Sequence, residues 1–352
     1  MHFPVALIFI SSWDALLAIG FVVGVCGGFW GMGGGWIIIP ALVAMGVPIN
    51  VAVGTSVTNI FGHSIVSTFR HWRFGNLSVM ITAIMVPSRA LGVELGARIM
   101  EYLKRAGEGP MDLVISLLYV VVLFGIAAFI WRDIRRTNCR KRLLANADEA
   151  NAAQADAQVL ADEVSSSLSA RVQSLKMRPC VSCDAACIKS ISVWAIVLVG
   201  VTMGIMTGLL GVGGGLIGMP MLVYLIGCPT HVAVGTSMFS AIVAAALGAF
   251  RHAMNGNVDL LMALFLLAGA SAGVQIGALA TRFATGAKIR GLFAMMAGVV
   301  GLSVVLNTWL GLRQVALIII LGAALVICCI VMYLLIAGKK AARRQMRGSN
   351  SP

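Results

Sequence analysis

The chain has 352 residues, 59% of them hydrophobic and only 11% charged, with a net charge of +13. Soluble domains carry about 25% charged residues, so so few charges cannot cover a water-facing surface and most of the exterior must face lipid. The basic residues are not interleaved with aromatics on a polar face, which argues against nucleic acid as a partner.

Residues 1–12 lack the positive start of a cleaved signal and the apolar character runs past Gly20, so the N-terminus is read as retained. In chain order, helical segments are predicted at 14–30, 34–46, 52–69, 77–99 and 112–131, then at 191–210, 214–226, 232–250, 258–282, 290–308 and 314–337. The longer ones approach the roughly 20 residues a helix needs to cross a bilayer. The second segment of each group, at 34–46 and 214–226, is too short to cross unaided. Each of these begins at a run of glycines, which predicts a broken or re-entrant helix. The expected architecture is an all-α, multi-pass membrane protein: a first transmembrane repeat (1–131), a cytoplasmic linker (132–190), a second repeat (191–310), and a final helix with a basic tail (311–352).

The two groups are related. Gly31-Met-Gly-Gly-Gly-Trp-Ile-Ile-Ile-Pro40 recurs as Gly211-Val-Gly-Gly-Gly-Leu-Ile-Gly-Met-Pro220, and Val-Ala-Val-Gly-Thr-Ser occurs at both 51–56 and 232–237. Phe69-Arg70-His71 matches Phe250-Arg251-His252, and 92–97 matches 273–278. If every segment crosses, five per half is odd and the halves are inverted; if the short ones only dip in, the count is four and the halves would be parallel. Basic blocks decide between these. Arg132, Arg135, Arg136, Arg140, Lys141 and Arg142 follow one apolar run, and Lys339, Lys340, Arg343, Arg344 and Arg347 follow the last. Under the positive-inside rule both blocks are cytoplasmic, which fits inverted repeats with the N-terminus and residues 251–257 outside. The expected location is the cell membrane, the inner one in a Gram-negative cell.

In the linker, Val164, Leu168, Val172 and Leu175 recur at helical spacing and suggest one surface helix in a plain spacer. Cys180, Cys183 and Cys187, with Cys139 upstream, could form a metal knuckle, a redox site or a set of reduced bystanders. No second pair and no nearby histidine completes a ligand set, so neither metal nor cofactor is assigned.

Several polar positions are candidates for chemistry. Gly33, Gly34 and Gly35, and Gly213, Gly214 and Gly215, would bring backbone amides at a helix start to a small anion, or serve close helix packing. Neither run fits a nucleotide-binding fingerprint, so no ATP-driven mechanism is visible. Thr55, Ser56, Thr236 and Ser237 place matching hydroxyls in both halves, with Asn59 and Ser240 extending the stripe. These residues are either substrate ligands or helix-packing groups that bond back to their own backbone. Arg70, His71, Arg251 and His252 are read as helix-end anchors at the membrane surface, with a possible role in attracting anions. His63 is a packed histidine or a proton carrier. Glu94 and Gln275 occupy equivalent positions; Glu94 is a candidate for coupling to a proton, with Arg89 or Arg98, the latter four residues on, as rival structural partners. Sodium is the other coupling ion considered.

At these duplicated residues the chain resembles the sulfite exporter TauE/SafE family of membrane permeases. The resemblance rests on the two Gly-x-Gly-Gly-Gly…Pro stretches and the Gly-Thr-Ser helices, and covers roughly 14–131 and 191–310. It implies a secondary transporter for a small, sulfur-containing anion such as sulfite or an organosulfonate. A membrane enzyme is disfavoured because no nucleophile–base set converges by spacing. The alternative is a non-transporting sensor or partner subunit that uses the cysteine-bearing linker. Oligomeric state is not legible.

Overall fold

The computed structural model describes residues 13–105, 107–145, 179–183 and 188–349. The first half comprises α1 (Trp13–Trp30), α2 (Gly35–Ala44), α3 (Ile49–Arg73), α4 (Val79–Arg105) and α5 (Glu108–Ala145). The second comprises α6 (Val193–Leu210), α7 (Gly215–Met221, extended by a π-helical turn Leu222–Ile226), α8 (Thr230–Met254), α9 (Leu260–Ala280) and α10 (Gly286–Thr308). A last helix, α11, spans Arg313–Ser349. Among the described residues eight helices are long and apolar enough to cross a membrane; α3 has the length, with 25 residues, but carries a polar stripe. This is an all-α multi-pass membrane protein. Boundaries follow local chemistry. Gly46 (φ 94°) ends the α2 region, and Pro48 and Pro229 precede α3 and α8, where a missing N–H costs nothing.

The halves are woven together rather than set side by side. α1 packs along α9 of the other half, and α6 packs along α4. Glycines permit both crossings: a Cβ on Gly24 would stand 2.5 Å from the Ala270 carbonyl oxygen, and one on Gly204 would stand 2.8 Å from Gly92 Cα. Without lipid-excluding hydrophobic drive between helices, this closeness is the source of packing energy. Contacts at Gly20–Leu266, Gly24–Ala270 and Gly28–Val274 rise together, so α1 and α9 run parallel. The repeat-equivalent helices α3 and α8 run antiparallel: Gly54 lies against His252 and Asn257, Gly235 against His71 and Asn76. α5 and α10 also run antiparallel, with Gly301 beside Phe124 and Gly291 beside Ile134. This is the relation that inverted repeats require.

Counting segments offered a choice that the chain does not make. The ten residues of α2 rise about 15 Å, half a bilayer core, yet the halves are not parallel. α1 and α2 form one hairpin: Trp13 stacks on Phe265 near the start of α9, and Thr55 near the start of α3 accepts from Asp259 N just before α9, so the chain leaves and returns at one end of the molecule.

Charge divides the two ends. Arg132, Arg135, Arg282, Lys288 and Lys339 gather at one end, where Gly338 meets Phe283 and Gly291 meets Ile134. The other end carries Asp14, Glu101 and Asp259 beside Lys104 and Arg251. The linker contributes a feature the sequence did not suggest: β1 (Cys180–Cys183) pairs antiparallel with β2 (Ile188–Ser192), Val181 opposite Ile191. The surface helix expected near 164–175 and the side chains of Cys139, Cys183 and Cys187 lie outside the described residues.

Candidate functional site

The two glycine loops meet in the middle of the molecule. Gly34 (φ 74°) and Gly214 (φ 66°) cap α2 and α7 in the left-handed region, where a side chain would be strained. A Cβ on Gly35 would stand 2.7 Å from the Gly211 carbonyl oxygen, and one on Gly215 2.9 Å from Met32 Cβ. Ser56 Oγ closes the contact by donating to Gly211 O at 3.2 Å. Ile60, fully buried, is wedged between the loops: Cβ atoms on Gly33 and Gly213 would lie 2.8 and 2.9 Å from its side chain. With Val57 and Ala245 it forms a small apolar cluster separate from the main core.

On the second loop's side of Ile60 sits Arg89, from α4. It is fully buried. Its Nη1 donates to Ser240 Oγ at 2.7 Å and to Ser237 O at 3.2 Å. Its Nη2 donates to Gly213 O and, at 3.5 Å, to Thr207 Oγ1. Every one of these acceptors is neutral. Nε and the Ser237 hydroxyl, both buried, have no hydrogen-bond partner. An unpaired buried charge costs several kcal/mol, so a guanidinium held only by carbonyls and hydroxyls is short of one negative charge.

On the first loop's side the corresponding space holds His63, from α3. A Cβ on Gly27 would stand 2.9 Å from the His63 ring and 3.1 Å from the Gly34 amide. In the repeat Gly27 corresponds to Thr207 and Gly34 to Gly214, the residues around Arg89. Both ring nitrogens of His63, both amide atoms of Asn59, and the hydroxyls of Ser64 and Ser67 are buried without a hydrogen-bond partner. Asn59 is the repeat equivalent of Ser240, so the polar stripe of α3 holds the position that the Arg89 partners hold on α8, without partners of its own.

The threonines do different work. Thr55 Oγ1 accepts from Asp259 N and Thr236 Oγ1 from Ser78 N, each at 3.0 Å, which ties each half to the first turn of the other's fourth helix. The arginines read as surface anchors also reach across the halves. Arg70 Nη2 donates to Gln275 Oε1 at 2.5 Å, and Arg251 donates to Glu94 through Nη2 at 2.7 Å and Nε at 3.0 Å. Arg98 adds a bond to Glu94 at 2.9 Å. What is corrected for Glu94 is its pairing: it sits mid-way along α4 with its side chain half exposed, and is held by Arg251 as well as Arg98. His71 and His252 are corrected too. Both are buried, with Nε2 at 3.4 Å from Gly28 O and 3.3 Å from Gly208 O, because the small glycine faces of α1 and α6 leave room for a ring.

A cavity of about 360 Å³ opens at the Arg251 end, lined by Lys104, Arg105, Arg251, His252 and Asn255 with one carboxylate, Glu101. His252, one of the lining residues, faces Gly208, which adjoins Thr207 beside Arg89. At the opposite end the equivalent space is covered by Phe74, with the Arg282 guanidinium 5.0 Å above its ring.

Arg89 is the site residue that sequence reasoning missed; it figured only as a partner for Glu94. Its signal was available: an arginine inside an apolar segment, matched by Ala270 in the other half.

A stretch of 79 residues is 39% identical to the probable membrane transporter protein YunE of Bacillus subtilis (strain 168), and covers 22% of this chain and 29% of that protein. The match thus spans less than a third of that relative's length. No solved structure matches the chain. The sulfite exporter TauE/SafE family model matches residues 16–304, most of the chain and all ten helices of the two halves in whole or part, and the chain belongs to that family.

Proposed function

We propose that this protein is a secondary transporter for a small anion, a sulfur oxyanion such as sulfite or an organosulfonate, with its binding station at Arg89. One observation carries the reading: a fully buried guanidinium whose partners are all neutral. Membrane-embedded charges without partners are costly and mark ligand paths, and a planar guanidinium matches an oxyanion's geometry. The cavity at Lys104 and Arg251 would gather anions toward this station. Energy would come from an ion or substrate gradient, with lipid and the anion as the only partners the reading needs.

Sulfite uptake into proteoliposomes tests this, together with binding to the detergent-solubilised protein. Losing a charge-assisted hydrogen bond costs about 1.5–3 kcal/mol, so Arg89→Gln should bind about 10- to 150-fold more weakly, with Arg89→Lys in between. Parent-like binding and uptake in Arg89→Gln would refute the station.

A further inference from the structure

The polar cluster that α3 places beside the first glycine loop has no part in the station just described, and its polar groups are unspent. His63, Asn59, Ser64 and Ser67 are all fully buried, and none has a hydrogen-bond partner. The Gly24 carbonyl borders the His63 ring, yet neither ring nitrogen makes a bond of normal geometry. Buried polar groups are almost always satisfied, so four neglected ones along α3 require an occupant. Each of these side chains can both donate and accept. The Arg89 guanidinium can only donate.

We propose that this cluster is a second station for the substrate anion, in which His63 carries a proton while the anion is present, so that anion and proton cross together. The proposal rests on the anion reading above. Its geometry is a partial repeat correspondence: the His63 ring lies against Gly27, the equivalent of Thr207, whose hydroxyl the Arg89 guanidinium approaches. Ile60 separates the two spaces. A fixed cation serves capture from the open cavity. A second fixed cation would hold the anion too firmly to release it, whereas a histidine binds the anion when protonated and lets it go when the proton leaves. Charge balances, because one imidazolium neutralises one anion and both are discharged on the same side.

Among the described residues, the elements named around His63 bring no competing carboxylate to it. α1 contributes Gly24 and Gly27, with Asp14 at the helix's far end. The first loop contributes the Gly34 amide. α9 has Asp259 at its distant start and Gln275, which is held by Arg70. On α3 itself His71 lies two turns on, against Gly28. From α4, Arg89 lies beyond Ile60.

The test uses proteoliposomes of the full chain, labelled sulfite and an imposed pH gradient, with His63→Gln and His63→Asn beside the parent. Both variants keep a polar side chain and leave the Arg89 station untouched, so anion binding to the solubilised variants reports that they are folded. The expected result is uphill accumulation in the parent when the source side is acidic, and loss of that accumulation in both variants, which still bind sulfite. Variants that accumulate as the parent does overturn the proposal alone. A parent that binds no anion overturns the Arg89 reading and this one with it.

Discussion

Around the second glycine loop a guanidinium from α4 fills the space that, around the first, an imidazole from α3 fills. Where one half has Arg89 the other has Ala270, and where one has His63 the other has Ala244. Each large polar residue thus faces room made by an alanine at the matching position of the other. The backbone scaffold is shared almost element for element, down to the paired bonds Thr55–Asp259 and Thr236–Ser78. What the comparison teaches is that duplication set the two loops and their approach routes, while two reciprocal substitutions set their chemistry. In the proposed reading one station is permanently charged and the other conditionally so.

That comparison can be broken at its scaffold. Gly24→Val and Gly204→Val push a side chain into the backbone of the neighbouring helix at equivalent crossings. Overpacking of this kind costs about 1–3 kcal/mol or more, and both variants should lose monodisperse protein on size-exclusion chromatography to a similar degree. If one tolerates valine and the other does not, the two crossings are not energetically equivalent.

A smaller effect sharpens it. Ser240→Ala removes a neutral bond to Arg89, while Asn59→Ala removes an amide with no partner in the structure. A single hydrogen bond is worth about 0.5–1.5 kcal/mol, so Ser240→Ala should weaken sulfite binding about two- to tenfold in a titration of solubilised protein. Asn59→Ala should leave that affinity within about twofold, because it lies across Ile60 from Arg89.

Least affected should be Glu94→Gln. The carboxylate is half exposed and bonded to Arg98 and Arg251, a pair worth about 1 kcal/mol or less. Transport driven by a pH gradient should persist in this variant, and its loss would return the coupling proton from His63 to Glu94.

Much of the scaffold was legible in the sequence. Apolar runs mark helices because lipid admits no unsatisfied backbone, and duplicated motifs such as 51–56 and 232–237 reveal the repeat. Parity of crossing was harder, because length alone does not say that α1 and α2 turn back as one hairpin. The site was legible only as positions. Gly33–Gly35, Asn59 and Ser240 were found by recurrence, a signal that is blind to Arg89 and His63 because each occurs in one half only. Glu94 misled for a related reason: its partner Arg251 is 157 residues away, beyond any spacing rule, whereas Arg98 is one helical turn off. The β-hairpin at Cys180 carries no alternation strong enough to announce itself.

The most direct test of the central claim is a crystal structure of the protein with selenite in place of sulfite, with data collected at the selenium absorption edge. The account predicts an anomalous peak within hydrogen-bond reach of the Arg89 guanidinium, beside Gly213 and Ser240. A selenium peak elsewhere, with Arg89 still bonded only to carbonyls and hydroxyls, would contradict it.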